Sequence, residues 1–62
     1  MKLSAKKKGE IYDLIHLEMR TLRLSIIDRY GYNNSLDYKI AQLEIPLAQM
    51  LIKLLDPTYK VN

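Results

Sequence analysis

The stretch LDYKIAQLEIPLAQMLIKLL, residues 36 to 55, carries more apolar surface than one neighbouring helix can cover. Leu36, Ile40, Leu43, Leu47, Met50 and Leu54 repeat with heptad spacing and share one face. Tyr38, Ala41, Ile45, Ala48, Ile52 and Leu55 form a second seam, about 180° away at 100° per residue. Only a narrow sector with Lys39, Gln42, Gln49 and Lys53 is polar. One antiparallel helix covers one seam. The other needs a second copy of the chain or a different protein. The expected fold is therefore all-α: a two-helix antiparallel hairpin that dimerises into a four-helix bundle.

Pro46 lies inside this segment. A proline in a helix removes one backbone hydrogen bond and its ring crowds the carbonyl four residues earlier, here that of Gln42. The second helix is thus expected to be kinked or broken at Pro46. Gly31 suits a helix C-cap, Asn33, Asn34 and Ser35 suit a turn and N-cap, and Asp37 suits a helix first turn. Pro57 stops the second helix near Leu55.

The preceding helix is expected from about Glu10 to Tyr30. Tyr12, Ile15, Met19, Leu22 and Ile26 follow helical spacing on one face, and Asp13, Arg20 and Arg23 lie opposite, toward solvent. Leu17 and Leu24 fall among those charges as a thinner apolar stripe. The layout is a basic, flexible arm over residues 1–9, a hairpin over 10–56 (helices about 10–30 and 35–55) and a tail over 57–62. Tyr30, Tyr32 and Tyr38 flank the turn and are expected to close that end.

A chain of 62 residues makes one small domain, and at this size folding hides only about 60% of the unfolded surface. With no cysteine, disulfides and thiolate metal sites are excluded, which leaves oligomerisation as the expected support. An apolar content of 48% suits a globular chain. No apolar run is long enough to span a membrane and none follows the first lysines as a signal peptide would, so a cytoplasmic location is expected. The net charge of +3 is uneven: Lys2, Lys6, Lys7 and Lys8 hold +4, and the chain from Gly9 onward sums to −1. These lysines are candidate contacts to phosphates or nucleic acid, supplying affinity without base readout.

No catalytic constellation stands out. His16 has Asp13 and Arg20 on its face but no second His or Cys, so a metal centre has no ligand set. No Ser or Thr stands with a base and an orienting acid, and Gly9 and Gly31 form no phosphate loop. The expectation is a non-enzyme with no metal and no cofactor. A faint helix-turn-helix pattern, with a break at Glu44–Pro46, would offer only Gln49 and Lys53 to bases.

The stretch EMRTLRLSIIDRYGYNN, residues 18 to 34, resembles the first helix and turn of the small sporulation-regulating phosphatases of spore-forming bacteria. Arg20, the Ile26–Ile27 pair and RYG before a polar turn carry the likeness. The resemblance implies a helical hairpin that engages a response regulator. It places Ala41 and Gln42 on the Ser-Gln of that family's signature, but Ile45 on its aspartate, with Glu44 one position early. A shifted alignment over Ala48–Ile52 puts Ile52 there instead. The signature acid is absent in both.

The leading expectation is a small regulatory protein acting by protein–protein contact through apolar helix faces. It would be a homodimer with a protein partner, possible partners including a signalling or regulatory protein. The residues expected to build the dimer or partner surfaces are Leu17, Leu24, Ile45, Ala48, Ile52 and Leu55. The alternatives are a nucleic-acid-binding regulator using Lys2, Lys6, Lys7 and Lys8, and a phosphatase-like regulator of a response regulator.

Overall fold

The structure, a computed structural model, describes residues 2–60. Two helices, α1 (Ala5–Tyr30) and α2 (Asn34–Leu55), pack against each other. They run antiparallel: Arg23 meets Asp37, His16 meets Glu44, and Leu3 meets Asp56. Among the described residues no helix is long and apolar enough to cross a membrane.

The turn is set by local chemistry. The N–H of Gly31 donates to the carbonyl of Ile27 at 2.9 Å, and its φ of 87° lies where a side chain would be strained. Asn33 is the N-cap of α2, its Oδ1 accepting from the N–H of Leu36 at 3.0 Å. The tyrosines do not close this end. Tyr30, Tyr32 and Tyr38 are all exposed, and the Tyr32 hydroxyl donates to Asn34 Oδ1 at 3.1 Å.

The basic segment is not an arm. Helix α1 starts at Ala5, so Lys6, Lys7 and Lys8 form its opening turn. Ser4 caps it, with Oγ accepting from the N–H of Lys7 at 3.2 Å. Alanine and lysine are strong helix formers, which offsets the roughly 1 kcal/mol that Gly9 costs. Met1, Val61 and Asn62, the outer residues of the expected arm and tail, lie outside the described residues.

Helix α2 runs unbroken through Pro46, so the break allowed by the sequence does not occur. Pro46 and Gln42 are both exposed. There the carbonyl that loses its helical donor remains open to water.

Among the described residues only Leu3, Met19, Ile40, Ala48 and Ile52 are buried apolar residues, with Ile11, Ile15, Ile26, Leu47 and Leu51 half-buried around them. The principal extents are 41 × 19 × 14 Å, and the radius of gyration is 13.7 Å. A compact globule of this length would have about 10.6 Å. The hairpin is a slab one helix thick, whereas stable domains are normally at least two layers deep.

Candidate interaction surfaces

Two polar pairs set which side of each helix faces inward. Arg23 Nε donates to Asp37 Oδ1 at 2.6 Å, and both side chains are partly covered. His16 Nδ1 lies 3.0 Å from Glu44 Oε2, with Glu44 mostly covered. Arg23, read from the sequence as solvent-facing, therefore belongs to the helix–helix seam. Leu22 is displaced outward and is 47% exposed.

This rotation decides what each apolar residue does. Ala48 and Ile52 have no exposed surface, being enclosed within the hairpin. They are core residues and leave the set expected to meet a dimer or partner. Leu17, Leu24, Ile45 and Leu55 do stand exposed. The structure does not bring them into one patch: Leu24 shares a groove with His16, Arg20, Arg23 and Ile27, and Leu17 borders a separate depression with Glu10, Asp13 and Leu14.

The sequence reading missed the broadest apolar face. Leu43, Pro46, Leu47 and Met50 line an open groove together with Met19 of α1. Leu36 and Leu54 extend the same stripe along α2, and all but Leu47 are well exposed. Apart from Pro46 these α2 residues belong to the first heptad seam, whose Ile40 is buried, and the sequence reading did not include them among the interaction residues. The signal that could have assigned it was the charge pattern of α1. Arg23 and His16 find carboxylates at Asp37 and Glu44 only if α2 turns inward between its two seams.

The other end of the slab holds a clasp. Asp56, 2% exposed, accepts the N–H of Leu3 on Oδ2 at 2.9 Å. Its Oδ1 accepts from the Thr58 N–H at 3.1 Å and from the Thr58 hydroxyl. The Tyr59 N–H returns to the Asp56 carbonyl at 3.0 Å, closing a turn with Pro57 in its favoured second position. Lys53 Nζ donates to the carbonyls of Pro57 and Tyr59, at 3.1 and 2.8 Å. Lys8 Nζ sits 5.1 Å from the Tyr59 ring centroid, within cation–π range. The Thr58 hydroxyl, then the Leu3 N–H, hold the Asp56 carboxyl below its ordinary range against the opposing effect of burial. A hydrogen bond with Tyr12, with partial burial, pushes the Tyr59 hydroxyl up.

The four candidate lysines of the N-terminal segment lie at this end. Lys7 reaches Glu10 at 3.7 Å, Lys8 covers Tyr59, and Lys2 and Lys6 are exposed. The fold adds Lys53 and Lys60, so six of the seven lysines in the chain gather at one tip. Among the described residues no three His, Cys, Asp or Glu side chains gather as a metal site. At the signature positions of the phosphatase resemblance, Ala41 and Gln42 are exposed, as is Ile45. Glu44 is taken up by His16, and Ile52 is buried. The continuous α2 also leaves no turn for a helix-turn-helix. Comparison with protein families, with curated proteins and with solved structures gives no match.

Proposed function

We propose that the chain is a non-enzymatic regulatory protein that works by protein–protein contact, as a homodimer forming a four-helix bundle. One observation carries this reading: among the described residues five apolar ones are buried, while thirteen large apolar ones stand exposed on a slab one helix thick. Scattered exposed leucines are ordinary, but contiguous stripes of them mark interaction surfaces. Stacking two hairpins would supply the second layer that each lacks. Sedimentation equilibrium at micromolar concentration tests it. The expected species has twice the 7.3 kDa chain mass; a stable helical monomer would refute the dimer.

A second reading, binding to nucleic acid, draws support from the lysines gathered at the clasp tip. It requires affinity that falls steeply with salt and is lost when Lys2, Lys6, Lys7 and Lys8 are replaced. The phosphatase-like reading rests on the resemblance alone. It requires that substituting Gln42 or Glu44 lengthens the lifetime of a phosphorylated response regulator.

A further inference from the structure

We infer that a second copy of this chain covers the flat face bearing Leu22, Leu43, Met50 and Leu54, docked antiparallel, while the opposite flat face stays uncovered. This rests on the homodimer reading and specifies its geometry.

The two faces of the slab differ in kind. On α1, His16, Arg20, Leu24 and Ile27 fall on one flank of the inward stripe, and Ile11, Glu18, Leu22 and Arg29 on the other. Both helices are right-handed and they run antiparallel. The first flank therefore lies beside Tyr38, Ala41 and Ile45 of α2, and the second beside Leu43, Leu47 and Met50. The first face carries Arg20 and the rims of the His16–Glu44 and Arg23–Asp37 pairs. Covering it would strip water from charged groups, a cost that attraction between them rarely recovers in full. The second face presents a leucine–methionine stripe on α2, bordered by Leu22 of α1; the exposed Glu18 and Arg29 share the α1 half of this face but, among the described residues, enter no ion pair across the hairpin. A self-complementary apolar face of this kind suits the isologous contact of a two-fold dimer.

The area matches. The chain exposes 5053 Å², whereas a compact monomer of 7.3 kDa would expose about 4,200 Å². That excess follows from the slab shape and leaves room for the roughly 800 Å² that each partner contributes to a standard stable interface.

Charge sets the direction. The clasp tip holds Lys2, Lys6, Lys7, Lys8, Lys53 and Lys60 against Glu10 and Asp56, a net of +4. In a parallel pair two such tips would meet. An antiparallel pair keeps them at opposite ends of a slab 41 Å long, beyond the screening length of about 8 Å in physiological salt.

Sedimentation equilibrium of Met50→Glu, Leu43→Glu and Ile45→Glu tests the face. All three side chains are exposed in the hairpin, and circular dichroism confirms that each variant stays helical. Met50→Glu and Leu43→Glu are expected to weaken the dimer on the order of 100-fold, and Ile45→Glu to leave it intact. Dissociation by Ile45→Glu, or an intact dimer in both other variants, overturns the assigned face and leaves the homodimer standing. A monomeric parent protein overturns both. The chain has no cysteine, so direction can be read by cross-linking with a short bis-maleimide. Leu36→Cys mixed with Leu54→Cys should link, and neither alone. Efficient linking of each alone overturns the antiparallel arrangement.

Discussion

The two ends of the slab are closed by opposite means. At the turn, Gly31 and Asn33 act within four residues of themselves, through bonds to Ile27 and Leu36. At the clasp, the bond from Leu3 to Asp56 spans 53 positions of sequence. A turn of the first kind is favoured by its own residue types. A clasp of the second kind exists only after both helices have packed. The turn thus specifies the topology, and the clasp confirms the register.

The largest expected loss comes at the clasp end. Ile52→Ala removes a fully buried side chain, at about 2–5 kcal/mol. Urea unfolding at fixed chain concentration measures it, and a loss under 1 kcal/mol would mean the clasp end is not packed. Asp56→Ala comes next, because it leaves the buried N–H of Leu3 without an acceptor. It should lower the thermal midpoint more than any single change in the turn. The pH dependence follows from the lowered carboxyl of Asp56. Its contribution is complete above the ordinary carboxylate range and is lost as pH falls through its own, lower value. The parent protein should therefore show an acid-side fall in stability that Asp56→Ala lacks; equal acid profiles would contradict the clasp. The smallest expected effect is Gly31→Ala. It places a side chain at positive φ, costing about 1 kcal/mol, with nothing within 4 Å for the new Cβ to strike. A larger loss than Asp56→Ala would invert the comparison.

The same contrast explains what was legible in the sequence. Gly31, an N-cap among Asn33, Asn34 and Ser35, Asp37 in the first turn of α2 and the stop near Leu55 all follow from local rules, and the structure has each, with Asn33 as the cap. The inner face of α2 was not legible. Its two seams are nearly equal in apolar content, so periodicity leaves the rotation of the helix undetermined. Partners on α1 fix it, with Arg23 on Asp37 and His16 on Glu44. Ala48 and Ile52 consequently moved from the surface to the core, and Leu43 and Met50 moved the other way. The early start of α1 was hidden for a related reason. Three lysines beside a glycine look like a free arm, but Ser4 caps them into α1 and Asp56 anchors Leu3 just ahead of the cap.

Pro46 has a consequence for how such slabs can aggregate. The Gln42 carbonyl lacks the helical donor that residue 46 would normally supply, and it sits at the outer edge of α2. An apolar neighbour laid along that edge would strand the acceptor, at about 1–3 kcal/mol. Hairpins are thereby discouraged from adding side by side into an open-ended ribbon. The proposed dimer uses a flat face instead, where a two-fold contact would close on itself and stop growth.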